Sequence, residues 1–120
     1  MCNNCDYTIH GAQHHFGWDN SRPPAQRVEP GATVRFECLD SSAGQLSPRS
    51  TVEDVATLDF GRINPVSGPI HVEGAMPGDS LKVTIDSFHP QAQDGRGWGW
   101  TAARNAPGSF ALFGGSAFTK

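Results

Sequence analysis

Residues 62–85 read RINPVSGPIHVEGAMPGDSLKVTI, and the last third of this stretch decides the fold class. Leu81, Val83 and Ile85 alternate with Lys82, Thr84 and Asp86, the period of two expected of a half-buried strand. A Pro-Gly turn at Pro77-Gly78 leads into it, because Pro presets φ at a turn's second position and Gly accepts a positive φ at its third. The same arrangement occurs in VEPGATVRFECLD, residues 28–40, where Val34, Phe36 and Cys38 share one face and Arg35 and Glu37 the other. Ile70-His71-Val72 predicts a short third strand, while WGWT (98–101) and SFALF (109–113) are weaker candidates. One helical signal interrupts the series: in STVEDVATLDF, residues 50–60, Ser50 and Glu53 have capping-box spacing and Val52, Val55 and Leu58 share a face. The pattern predicts a mainly β protein, an antiparallel β-sandwich or barrel-like fold with one short helix.

Composition narrows the function classes. The 120 residues suit one domain, and 37% hydrophobic against 18% charged residues, with a mean hydropathy of -0.42, predict a soluble globular chain. Nine Lys plus Arg against 12 Asp plus Glu give a net charge of -3 with no basic cluster, so no nucleic-acid partner is expected. No apolar run approaches the roughly 20 residues of a spanning helix, so no membrane partner is expected either. The start, MCNNCD, lacks the basic and apolar regions of an export signal, which predicts a cytoplasmic location and reduced cysteines. Cys2 and Cys5 have C-x-x-C spacing, but the histidines that follow, His10, His14 and His15, form no second compact ligand pair, which argues against structural zinc. A blue-copper site fails because neither His nor Met follows Cys38 through Gln45. Neither G-x-S-x-G nor H-E-x-x-H is present.

Polar groups cluster in three places. HHFGWDN (14–20) sets His14, His15 and Asp19 around two aromatics; if the segment is extended, His15 and Asp19 share a face as ligands or as an acid/base pair. FECLDSSAGQ (36–45) puts Glu37, Asp40 and Gln45 at a strand end. In NPVSGP (64–69), Pro65 and Pro69 fix φ on either side of Gly68, which would hold the Asn64 amide still for a carboxamide ligand. Each has a structural alternative: a solvated histidine, a turn-forming Asp19, a Glu37 on an outer strand face, or a corner at 64–69 that only packs.

Taken together, HHFGWDNSRPPAQRVEPGATVRFECLDSSAGQL (14–46), LDFGRINPVSGPIHVEGAMPGDSLKVTI (58–85) and GWGWT (97–101) closely resemble the N-terminal part of the acetamidase/formamidase family. The resemblance implies a mostly β hydrolase that acts on the carbon–nitrogen bond of small linear amides, is metal-assisted and assembles as a homo-oligomer. On that basis His15, Asp19 and Glu37 are the catalytic candidates, Asn64 and Gln45 the substrate-binding ones, and His14 and Asp40 the ligands of a divalent metal, zinc or calcium. The chain divides into an N-terminal arm (1–13), the family-like β domain (14–101) and a divergent tail (102–120) that departs from the family's glycine-rich continuation. Family members run on for roughly another domain's length, so the chain reads as truncated relative to them. The alternative is a noncatalytic binding or oligomerisation module, with Trp98, Trp100, Phe110, Phe113 and Phe118 exposed to drive association.

Overall fold

A computed structural model describes residues 4–90, 92–93, 96–103 and 117–119. Ten short strands are placed: β1 (Tyr7–Ile9), β2 (His14–Phe16), β3 (Gln26–Val28), β4 (Val34–Phe36), β5 (Pro65–Ser67), β6 (Ile70–Val72), β7 (Ala92–Gln93), β8 (Arg96–Gly97), β9 (Thr101–Ala103) and β10 (Ala117–Thr119). They form five two-stranded ladders. The β2–β5, β7–β8 and β9–β10 ladders are antiparallel, whereas β1–β4 and β3–β6 are parallel. Each parallel pair joins strands separated by long connections, as parallel pairing requires. The expectation of an antiparallel sheet therefore holds for only part of the fold, and the described residues form small open sheets rather than a closed sandwich or barrel.

The one α-helix among the described residues, α1 (Val52–Ala56), lies inside the predicted helical stretch, but its cap is one residue later than the sequence suggested. The Asp54 carboxylate accepts the Thr51 N–H at 2.7 Å, so Thr51 and Asp54 do what Ser50 and Glu53 were expected to do. Val55 faces the core at 1% exposure. A 3-10 turn, Phe60–Arg62, follows, with the Asp59 carboxylate accepting the Gly61 N–H.

The described core is small: Ile9, Val28, Leu46 and Val55 are its buried hydrophobic residues. Ile9 comes from β1, Val28 from β3, Leu46 from the loop after β4 and Val55 from α1, so four separate elements converge on it. The predicted strand over Leu81–Ile85 is not formed: residues 81–90 carry no regular structure, and Leu81, Val83 and Ile85 are 67%, 72% and 66% exposed. Alternation commits a strand only when a ladder partner and a covering layer exist, and no described residue supplies either. The radius of gyration, 17.6 Å, exceeds the about 14 Å of a compact domain of this length, which fits so open an arrangement.

Trp98 and Trp100 are half-buried rather than exposed, while SFALF lies outside the described residues, as does the side chain of Phe118. Cys5 is disulfide-bonded, which corrects the expectation of reduced cysteines and removes a thiolate that zinc would need; Cys38 is free and exposed.

Candidate functional site

The β2–β5 ladder organises the predicted polar residues. Its register sets His14 opposite Ser67, His15 opposite Val66 and Phe16 opposite Pro65. Directly opposed residues of an antiparallel pair share a face, so His14 and Ser67 stand together and His15 points to the other side. NPVSGP is thus more than a corner: Pro65–Ser67 is itself a strand, laid against the double histidine.

His14 is half-buried and oriented by the backbone, its Nδ1 lying 2.7 Å from the Gly11 carbonyl oxygen. A carbonyl can only accept, so Nδ1 carries the proton and Nε2 keeps a lone pair for a proton or a metal. Phe16 meets the His14 ring edge-on at 5.6 Å and limits its rotation. Across the ladder Ser67 Oγ donates to Cys38 Sγ at 3.7 Å, which places a free thiol on the His14 side. His15 is only 7% exposed, and its Nδ1 is buried without a hydrogen-bond partner among the described residues. An orphaned polar atom of this kind is costly unless a ligand or another group completes it.

Asp19 does not continue the strand face that would pair it with His15. Gly17, at φ 85°, ends the extended run, and the Asp19 carboxylate turns back to accept Ser21 Oγ at 2.6 Å and the Ser21 N–H at 3.0 Å. Those bonds hold its carboxyl below the usual range, helped by Arg22 and by the charge of nearby His15.

Glu37 faces a different histidine from the expected ones. It accepts the Gly11 N–H at 3.3 Å and pairs with His10 Nδ1 at 3.2 Å, with Arg35 at 3.7 Å. The Gly11 bond first, and then His10, lower its pKa.

Asp40 and Gln45 are occupied in building a loop. Asp40 accepts the Ser42 N–H at 3.0 Å, Ser42 Oγ at 2.5 Å, the Gly44 N–H at 2.7 Å and Trp100 Nε1 at 3.0 Å. Burial pushes its carboxyl up, but the bonds from Ser42, Gly44 and Trp100 outweigh this and hold it below its ordinary value. The Gln45 amide donates to the carbonyls of Ser42, Asp59 and Arg62 and accepts the Asp59 N–H at 2.9 Å. It therefore ties the loop to the 3-10 turn just before Asn64.

Asn64 sits exposed at φ 53°, a left-handed conformation that Asn tolerates better than most residues. Its N–H donates to the Ser41 carbonyl at 2.7 Å, so the backbone is anchored and the amide is presented to solvent at the Pro65 end of the ladder. His10, Ser67, Cys38 and Trp100 are the members that sequence reasoning left out of the site. The partners of His10, Ser67 and Trp100 lie 27, 29 and 60 positions away in the chain, a separation no local pattern reveals.

For a divalent metal the fit is partial. His14 is oriented as ligating imidazoles commonly are, with the far ring nitrogen bonded to a carbonyl. Asp40, in contrast, has both oxygens engaged. Among the described residues no group of three or more His, Cys, Asp or Glu side chains stands together to hold an ion.

The profile of the acetamidase/formamidase family matches residues 4–116. An acetamidase from Mycolicibacterium smegmatis is 37% identical over 109 residues, 87% of this chain and 25% of that protein. A formamidase from Methylophilus methylotrophus is 40% identical over 73 residues, 61% of this chain and 18% of its own. Among solved structures, an acetamidase from Bacillus halodurans aligns with a TM-score of 0.61 at 23% identity, over 93% of this chain and 36% of that one, a likeness of fold. The chain spans a quarter or less of the length of these two sequence relatives. A local likeness stands apart: 25 residues, 21% of the chain, are 92% identical to the mitochondrial GTP/GDP carrier protein 1 of Saccharomyces cerevisiae, covering 8% of it. So short a segment is far less than a domain and shows no carrier fold. No helix of the described residues is long and apolar enough to cross a membrane.

Proposed function

Because the chain belongs to the acetamidase/formamidase family, we propose that it serves the hydrolysis of small linear amides, formamide or acetamide in kind, to ammonia and a carboxylate. The family match over residues 4–116 carries this reading, and the geometry of His14 supports it. In the reaction water adds to the carbonyl carbon, the tetrahedral intermediate expels nitrogen, and that nitrogen leaves with a proton. His14 is the proton carrier in this reading: Nδ1 is committed to the Gly11 carbonyl, so Nε2 alone takes the proton from water and returns it to the leaving group. Asn64 offers an amide that both donates and accepts, suited to a carboxamide, on a backbone fixed by Ser41. Gln45 acts through position, by holding the turn that precedes Asn64. His15 has the orphaned Nδ1 that a bound ligand would satisfy, Asp19 holds the turn after β2 through Ser21, and Glu37 acts through His10.

Were a divalent ion, zinc or calcium, held by His14 Nε2 instead, that nitrogen would no longer carry the proton, and the ion would lower the pKa of its bound water. Asp40 does not suit the second position, and no step here depends on an ion. The amide-hydrolase unit is placed at 14–101 in a cytoplasmic setting, with 102–120 as a divergent tail. Closure of the small sheets into a sandwich, and assembly as a homo-oligomer, complete the proposal. An oligomerisation module without catalysis is the second reading, favoured by the uncovered apolar residues at 81–88.

The test is ammonia release from formamide and acetamide by the 120-residue chain, with and without added zinc or calcium. Turnover above the uncatalysed rate is expected, and His14→Ala should reduce it about 100-fold or more. A folded chain that releases no ammonia under any of these conditions would leave the oligomerisation reading in its place.

A further inference from the structure

We propose that Glu37 is the positioning residue for His14, acting by pinning the turn at residues 10–13 that presents the Gly11 carbonyl to the ring. This role rests on the amide-hydrolysis reading above, in which His14 carries the proton. The first observation is the turn itself. The Gln13 N–H donates to the His10 carbonyl at 2.8 Å, closing a β-turn with Gly11 and Ala12 at its centre, and the His10 N–H donates to Gln13 Oε1 at 2.8 Å. The carbonyl that accepts His14 Nδ1 at 2.7 Å belongs to the peptide between Gly11 and Ala12. That central peptide is the one whose direction reverses between turn types I and II, so the tautomer of His14 depends on how the turn is held.

The second observation is what holds it. At the end nearer β2, the Gln13 carbonyl accepts the Gly68 N–H at 2.9 Å. At the other end a single carboxylate oxygen, Glu37 Oε2, meets both the Gly11 N–H at 3.3 Å and His10 Nδ1 at 3.2 Å. The Glu37 main chain is itself anchored: its N–H donates to the Ile9 carbonyl at 2.9 Å, continuing the β1–β4 pairing by one step. Arg35 lies 3.7 Å from the second oxygen, Oε1, and so favours the orientation that turns Oε2 to Gly11. A charged acceptor at the Gly11 N–H is a stronger tie than a neutral one. Glu37 thus fixes the start of the turn and, through it, the carbonyl that commits His14 Nδ1, leaving Nε2 for the chemistry. It is a positioning residue and not a catalytic one, because it acts through the turn and not on the reacting atoms.

Two-bond nitrogen–proton NMR of the imidazoles in the full chain tests this without substrate, on the wild type, Glu37→Gln and Glu37→Ala. His14 is expected as the Nδ1–H tautomer in the wild type and in Glu37→Gln, whose amide oxygen still accepts from Gly11 and whose NH2 can donate to His10. In Glu37→Ala the ring should exchange between both tautomers, while His15, which points to the other side of the strand, keeps its own pattern. Where the chain releases ammonia, Glu37→Ala should lower kcat about tenfold with KM little changed, and Glu37→Gln should keep most of the rate. A wild-type His14 in the Nε2–H form, or a His14 that stays Nδ1–H in Glu37→Ala, would overturn the assignment. So would a change in both histidines together, since Glu37 would then only hold β2 in place. The expected tautomer response in a chain that releases no ammonia would sink the amide-hydrolysis reading and leave the link from Glu37 to His14 standing.

Discussion

Asp40 shows how one side chain can be read correctly as important and wrongly as reactive. FECLDSSAGQ marks a polar strand end, and both Asp40 and Gln45 are indeed the polar centres of that loop, yet their bonding capacity is spent on Ser42, Gly44, Trp100, Asp59 and Arg62. Asp40→Asn replaces an acceptor by an NH2 group facing donors, so it should destabilise the fold by about 1–3 kcal/mol, read from the shift of a urea unfolding midpoint. The sign of the pH effect follows from the depressed folded pKa. The stabilisation is fully present above the carboxyl's unfolded value of about 3.9 and disappears as pH falls through the lower folded value. In the Asn variant this acid-dependent component should be missing. His14 was legible only as one of two adjacent histidines; which of them meets Ser67 depends on strand register, and a slip of one residue would exchange them.

At the scale of elements, a turn signal did not by itself decide a strand: a Pro-Gly turn precedes both Val34–Phe36, which forms, and Leu81–Ile85, which does not. Val34–Phe36 and Ile70–Val72 form as expected, whereas Pro65–Ser67 looked like a loop because Pro cannot donate to a ladder. Gly68 connects β5 to β6 at φ 101°, and a Cβ there would lie 3.2 Å from the Ile70 nitrogen. Gly68→Ala should therefore cost about 1–3 kcal/mol and lower the melting temperature. Loss of the Asp54 cap in Asp54→Ala should cost about 0.5–2 kcal/mol in the same assay. The helix was legible because Val52 and Val55 recur with helical spacing, and its start was misplaced by one residue because Ser50, Thr51, Glu53 and Asp54 offer two overlapping capping boxes.

The described residues form an open set of small ladders around four buried aliphatic residues, in a chain that spans a quarter or less of those family relatives. Alternation, turn chemistry and the long ordered likeness from His14 to Thr101 determined, from sequence alone, a mainly β chain and its family. These are local or linear signals, carried by neighbouring residues. Only the tertiary structure decided that two ladders are parallel, that Glu37 meets His10, that Asp40 and Gln45 build a loop, and that Leu81–Ile85 finds no ladder partner among the described residues. Each of those outcomes depends on which distant segments meet, and a strand's own pattern specifies its two faces without specifying what will cover them.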